Sequence, residues 1–260
     1  MKTLEMRDVS VVRNGKMILD SIDLSIEENE SVAIIGNNGS GKTTLIKLLR
    51  GEIRPFYNED SPSVMKIFGD ENWSIFDVRS RMGIVSMDLQ NLFGPETLVS
   101  EVIASGFFGS LDIFRNMKVT GEMVSKIGSA AMTMGVEDLL DRTVEGLSLG
   151  EMRRILIARA LVTEPSTLVM DEPMTGLDIV MASKFRRMFD ILIKAGVSLI
   201  IVTHDLADIP ESIGRIIMMK EGRIFADGGK DSLLTSETMT ELYDEPIKVE
   251  YNNGTYRMHQ

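Results

Sequence analysis

The stretch Gly36-Asn37-Asn38-Gly39-Ser40-Gly41-Lys42-Thr43-Thr44 limits what this chain can fold into more than any other. It fits G-x-x-x-x-G-K-[ST], a loop whose bare backbone N–H groups surround nucleotide phosphates. Glycine is needed there because a Cβ would hold the backbone away from the phosphates and penalise the positive φ angles of the loop. Lys42 supplies a point charge to the β and γ phosphates, and the Thr43 hydroxyl suits Mg²⁺.

The flanking residues fit the same reading. Ser31-Val32-Ala33-Ile34-Ile35 is a short apolar run of the kind that forms a buried strand. Beyond the loop, Leu45, Ile46, Leu48 and Leu49 share one face of a helix expected to start at about Gly41. Strand, glycine loop and helix N-terminus come in that order, and the helix dipole adds its positive end to the anion site.

Ahead of this unit, Leu4, Met6, Val9 and Val11, then Ile22, Leu24 and Ile26, alternate as strands do, with Asn14-Gly15 as a hairpin turn. Met65 and Ile67 alternate again, Pro55 to Pro62 reads as loop, and Gly83-Ile84-Val85-Ser86 is a short apolar run. From about Thr97 to Leu140 the period becomes helical, with Gly135 placed as a C-cap. Leu147-Ser148-Leu149-Gly150-Glu151 precedes a further helix. The apolar strand Thr167 to Met170 ends in Asp171-Glu172, and Leu199 to Val202 ends in Thr203-His204-Asp205. Ile216 to Met219 and Arg223 to Ala226 flank Glu221-Gly222 as a closing hairpin, and Gly228 to Gln260 carries no readable chemistry. Strands alternating with helices imply a parallel sheet with ligands at the carboxyl ends of its strands.

Composition excludes several classes. With no cysteine, disulfides, thiolate metal sites and thiol catalysis are ruled out, and His204 and His259 are too few for a structural zinc site. A net charge of −11 argues against nucleic acid as a partner. No run of 18 apolar residues exists, so a soluble, intracellular protein is expected. The 19 methionines scatter as core gap-fillers.

Three further sites carry chemistry. Asp171 is suited to hold Mg²⁺, directly or through water, and Glu172 to polarise the water that attacks the γ phosphate. His204 follows a neighbouring strand end, within reach of a γ phosphate bound at Gly36 to Thr43. Ser148 and Gly150 sit at a second helix N-terminus, and a second subunit would let that site complete its partner's nucleotide site.

Together these residues resemble the ATPase domain of the ATP-binding cassette (ABC) family over roughly residues 1 to 228. They match its Walker A loop at Gly36 to Thr43, signature motif at Leu147 to Glu151, Walker B strand at Leu168 to Glu172, D-loop at Gly176-Leu177-Asp178 and switch histidine at His204. The resemblance implies an α/β fold of the P-loop NTPase type: a RecA-like parallel core sheet, an N-terminal antiparallel β subdomain and a helical subdomain. The expected division is 1–90 and 145–228 for the β and core parts, 91–144 for the helical subdomain and 229–260 for an extension without assigned role. It also implies a head-to-tail dimer, with a second copy or a homologous ATPase subunit, holding two ATP molecules and Mg²⁺. Ser148, Gly150 and Asp178 would then act across the dimer, Thr43 and Asp171 would hold the metal, and Lys42, Glu172 and His204 would be catalytic.

This chain departs from the family in three places. The signature reads Leu-Ser-Leu-Gly-Glu where the family has Leu-Ser-Gly-Gly-Gln. The Q-loop glutamine is replaced by Met87, which has no amide oxygen for Mg²⁺, with Gln90 three residues on as the candidate substitute. The adenine-stacking aromatic falls near Arg13, whose guanidinium can stack on a base. One complete cassette and no apolar span point to the ATPase subunit of a transporter with separate membrane-spanning subunits, placed at the cytoplasmic face of the membrane. Gly83 to Ser86, Ser105 to Phe108 and Val202 to Pro210 resemble ATPases of molybdate-type uptake systems. Phe93, Phe107, Phe108 and Phe114 fall where the family docks its membrane partner, and each equally suits the core of the helical subdomain. The rival readings are a soluble ABC ATPase in repair, assembly or regulation, and a module that binds ATP without turnover.

Overall fold

Asn14 and Gly15 take φ of 51° and 74°, the pair of positive values that lets two residues close a tight hairpin. They join β1 (Lys2–Arg13) to β2 (Lys16–Glu27) in antiparallel register. The alternation buries Leu4, Met6, Val9 and Val11 on the first strand and Leu19, Ile22, Leu24 and Ile26 on the second. The computed structural model describes residues 1–57, 62–85, 87–109 and 118–260, so Ser86 and Phe114 lie outside the described residues, as does the Met87 side chain.

Next come β3 (Val32–Gly36), α1 (Lys42–Leu49) and β4 (Val64–Ile67), which returns to pair with β1. The helix α2 (Ile75–Arg81) was not expected from periodicity. Its start lies in Ser74 and Asp77, whose side chains accept each other's backbone N–H groups as a capping box. After β5 (Met82–Val85) and a 3₁₀ turn at Met87–Asn91, the chain turns helical through α3 (Val99–Ala104) and α4 (Gly121–Met134). Gly135 ends α4 in the left-handed conformation at φ 59°.

The second half runs α5 (Leu149–Leu161), β6 (Thr167–Asp171), α6 (Ile179–Lys194), β7 (Ser198–Val202), β8 (Arg215–Lys220) and β9 (Arg223–Gly229). Two short helices, α7 (Lys230–Leu233) and α8 (Ser236–Tyr243), lead to a hairpin of β10 (Lys248–Asn252) and β11 (Thr255–His259). The hairpin had a signal in Asn253-Gly254, both at positive φ. Val249, Tyr256 and Met258 pack it against the larger core.

The central sheet has the order β5-β6-β7-β3-β8-β9, parallel except for the antiparallel edge strand β9. Successive residues of its strands serve different cores, because side chains alternate across a sheet. Val32, Ile34, Val169, Ile200 and Val202 meet α1 and the β1–β2–β4 sheet. Ala33, Ile35, Leu168, Met170, Leu199 and Ile201 meet α3, α4, α5 and α6 on the other side. With both faces covered, β3 and β7 are buried at every residue, which is why they read as unbroken apolar runs.

Candidate functional site

The carboxyl ends of β6, β7 and β3 are consecutive in the sheet, and Val202 stands in register with both Asp171 and Ile34. The loops that leave these strands therefore converge on one edge, where an open parallel sheet binds its ligands.

On β3 the chain turns at Gly36 into the glycine loop. A Cβ on Gly36 would stand 2.2 Å from the Met219 carbonyl oxygen, so β8 admits only glycine there. Gly41, the N-cap of α1, has φ of 102°, and a Cβ on it would meet Leu19 at 2.6 Å. Asn38, Gly39 and Thr43 are exposed, Asn37 and Thr44 half-buried. The Ser40 hydroxyl and the Asn37 amide oxygen are buried with no hydrogen-bond partner among the described residues. Lys42 donates to the carbonyls of Gly36 at 2.7 Å and Asn37 at 2.9 Å. Burial pushes the Lys42 pKa down, against the attraction of Glu172 and Asp171, which raises it.

Asp171 closes β6, and Glu172 follows with φ of 46°, a left-handed conformation that costs a non-glycine residue of the order of 1 kcal/mol. Three contacts hold it: its N–H donates to the Val202 carbonyl at 2.8 Å, its Oε2 accepts from Thr175 Oγ1 at 3.0 Å, and its Oε1 lies 2.9 Å from His204 Nδ1. The pair thereby sits between two neighbouring strands. Thr203, just before the histidine, is buried; its N–H donates to Ile34 and its hydroxyl to Asp208 Oδ2 at 3.1 Å. Asp208 is buried as well, and burial together with the Asp205 charge pushes its pKa up to about 6. Thr175, Thr203 and Asp208 were not singled out from the sequence, where nothing local sets them apart.

Ser148 stands just ahead of a helix as its sequence reading has it, but the helix starts within the motif rather than after it. Ser148 is the N-cap and α5 begins at Leu149, so Leu149, Gly150 and Glu151 belong to its first turn. The reason is a capping box: Ser148 Oγ accepts from the Glu151 N–H, and the Glu151 carboxylate accepts from the Ser148 N–H at 2.8 Å and hydroxyl at 2.7 Å. Asp178 caps α6 through Val180 and Met181.

Two of the departures concern Arg13 and Gln90. Arg13 is exposed at the hairpin end, paired in register with Lys16. Gln90 sits in the 3₁₀ turn with Met87 and lines a cavity of about 460 Å³ with Phe93, Val144, Leu147, Ser148 and Met152. No residue of Gly36 to Thr44 lines that cavity, and the Gln90 amide oxygen is buried without a partner.

The residues fit a nucleotide with its metal. Among the described residues no cluster of three or more His, Cys, Asp or Glu side chains binds a metal by itself. The hydroxyl of Thr43 and the carboxylate of Asp171 are hard oxygen donors of the kind Mg²⁺ prefers, with phosphate oxygens supplying other positions.

Known proteins point the same way. The family model described as ABC transporter matches residues 19–175. The uncharacterised ABC transporter ATP-binding protein YlmA of Bacillus subtilis is 32% identical over 254 residues, covering 96% of this chain and 94% of that protein. The energy-coupling factor transporter ATP-binding protein EcfA2 of Streptococcus pneumoniae is 33% identical over 222 residues, covering 82% of this chain and 75% of its own length. Among solved structures, cbiO1 from Clostridium perfringens, part of the ABC transporter complex cbiONQ, superposes with a TM-score of 0.78 at 28% identity, covering 92% of this chain and 93% of that one.

Proposed function

This chain belongs to the ABC transporter family as one of its ATP-binding, ATP-hydrolysing subunits, and from that premise we propose that two copies, or this chain and a homologous ATPase subunit, close head to tail around two ATP molecules. The observation that carries the proposal is the Glu172–His204 pair, which stands at the carboxyl ends of β6 and β7 with Glu172 within the electrostatic reach of Lys42.

Lys42 already places its donors on two loop carbonyls, so the β and γ phosphate oxygens would replace acceptors the ammonium holds at rest. Glu172 orients a water and takes its proton as the water oxygen bonds to the γ phosphorus and the bond to the ADP oxygen breaks. His204, fixed through Nδ1 by Glu172, has Nε2 left to hold the γ phosphate. Thr43 and Asp171 would hold Mg²⁺, which when bound would supply positive charge beside the phosphates. Ser148, Gly150 and Asp178 contact the partner's nucleotide. Within their own chain the first turn of α5 packs on Gly176 and Met181.

Separate membrane-spanning subunits are proposed as the load, with the chain at the cytoplasmic membrane face. Among the described residues no helix is long and apolar enough to cross a membrane. A cavity of about 290 Å³ between the end of α1, β5 and α5 is lined by Arg50, Arg79, Arg159 and Glu52, with Phe107 and Phe108 half-buried in the neighbouring segment. It offers a charged seat for a partner segment.

Glu172→Gln with ATP and Mg²⁺ should run as a stable dimer by size-exclusion chromatography. A monomer under those conditions refutes the shared-site reading. Purification of the chain from membranes should bring multi-span subunits with it, and their absence would leave an ATPase without a transport load.

A further inference from the structure

The guanidinium of Arg153 is buried, 5% exposed, in the second turn of α5. Among the described residues it does not pair with a carboxylate at hydrogen-bond distance. Instead Nη1 donates to the Pro173 carbonyl at 3.0 Å and Nη2 to the Thr175 carbonyl. A buried cation is strongly disfavoured unless its donors are satisfied. Nε is buried without a partner among the described residues, so the burial rests on these two bonds, and because both acceptors are main-chain atoms of one turn it depends on where that turn lies relative to α5.

That turn is the one that holds the catalytic carboxylate. Thr175 donates its hydroxyl to Glu172 Oε2, and Glu172 Oε1 meets His204. The start of α5 packs along the same seam. A Cβ on Gly150 would lie 2.6 Å from Met181 Cε, and one on Gly176 would lie 3.6 Å from Leu149. The first turn of α5 thus meets the start of α6 at Met181 and the segment after the Pro173–Thr175 turn at Gly176, so three neighbouring pieces of chain share this seam.

We propose that Arg153 is a positioning residue that couples the two ATP sites of the dimer. The proposal rests on the head-to-tail reading above. In such a dimer the start of α5 touches the nucleotide held by the partner, whereas Glu172 acts on the nucleotide of its own chain. Arg153 links the two within one subunit: engagement of Ser148 and Gly150 by the partner's γ phosphate fixes α5, and through Arg153 fixes the turn that orients Glu172. Hydrolysis at one site then depends on occupancy of the other, which is a coupling free energy between sites.

The test compares ATP hydrolysis by the parent protein, Arg153→Met and Arg153→Lys as a function of ATP concentration. The parent is expected to show a Hill coefficient of about 1.5 or more, within the ceiling of two sites. Arg153→Met, which keeps the stem and loses the donors, should lower it to about 1 and cut turnover about tenfold, while Arg153→Lys recovers part of both. A brace that only holds the fold together would lower the melting temperature and leave the Hill coefficient where it was. That result, or a parent with a Hill coefficient of 1, overturns the proposal. If Arg153→Met does not fold, Arg153→Lys and Met181→Ala, which loosens the seam from α6, decide the matter: an unchanged Hill coefficient in both overturns it. Dimer formation by Glu172→Gln separates the two ideas. If that variant dimerises while Arg153→Met keeps its Hill coefficient, the coupling fails and the dimer stands; if it stays monomeric, the dimer reading itself has failed.

Discussion

His204 Nδ1 lies 2.9 Å from Glu172 Oε1, a contact between side chains that leave the ends of two adjacent parallel strands. The two residues are 32 positions apart, and the sheet brings them together through the pairing of Asp171 with Val202. Glu172 sits in a left-handed backbone conformation, so its aim depends on the Val202 carbonyl behind it and on Thr175 and His204 in front.

If the pair carries the chemistry, the two halves of the contact should weaken differently. His204→Ala is expected to bind ATP as the parent does and to release phosphate at least about 10²-fold more slowly, the range for a lost proton-transfer or charge-stabilising group. Thr175→Val, which removes only the second hold on Glu172, should cost about tenfold or less. Phosphate release in steady state, with nucleotide binding measured separately, checks both, and unchanged turnover in His204→Ala would exclude the histidine from the reaction.

Asp208 supplies a prediction for pH. Its folded pKa is raised to about 6 from an ordinary 3.8, so between those values the folded state binds the proton that the unfolded state has released. Stability contributed by this group is therefore highest below about pH 4, falls as pH rises through 6, and then stays level. Asp208→Asn keeps an acceptor for Thr203 and removes the titration. The loss of stability between pH 5 and pH 8 should shrink by of the order of 1–2 kcal/mol, read by urea unfolding at the two pH values. An equal pH dependence in both proteins would show that Asp208 is not the group responsible.

The parts of this site that were legible in the sequence are those encoded locally. The glycine loop, the unbroken apolar strands β3 and β7, and the loaded loops at their ends each follow from a run of neighbours whose chemistry is self-evident. Their convergence followed from the general rule for parallel sheets. What was hidden depends on distant contacts or weak local signals. Nothing local sets Arg153 apart from the other cations of α5, and only tertiary packing shows that it reaches 20 residues on to Pro173. Asp208 is one of several acids near His204, and its burial between Thr203 and neighbouring elements has no sequence signature. The helix α2 and the hairpin β10–β11 did carry signals, Ser74 with Asp77 and Asn253-Gly254, but each is short and lacks a long apolar period beside it.

The Q-loop departure gives a comparison of two neighbours. In this structure Gln90 faces the cavity beside Leu147 and Ser148, with its amide oxygen unpartnered. If the 3₁₀ turn re-forms around a bound metal, that oxygen is a ligand without a competing bond to break. Gln90→Ala should then reduce Mg²⁺-dependent hydrolysis far more than Met87→Ala, with a higher Mg²⁺ requirement. The opposite ranking in a magnesium titration would assign the gap in the Q-loop to no substitute.

Lys42 tests whether the glycine loop binds nucleotide at all. A ligand that binds only the folded state stabilises it by about 2.7 kcal/mol when present at a hundred times its Kd, enough to raise the melting temperature of a chain this size by several degrees. Lys42→Ala removes the only side chain whose donors bridge Gly36 and Asn37 among the described residues, and with it the charge that meets the phosphates. ATP with Mg²⁺ should therefore raise the melting temperature of the parent and leave that of Lys42→Ala nearly unchanged. The variant itself should still fold, because the loop backbone is held by Ser40 N–H to the Asn37 carbonyl and by the packing of Gly36 on β8. A full ATP-dependent shift in a folded Lys42→Ala would mean that the nucleotide binds elsewhere, and Glu172 and His204 would then be a pair without a substrate between them and the loop.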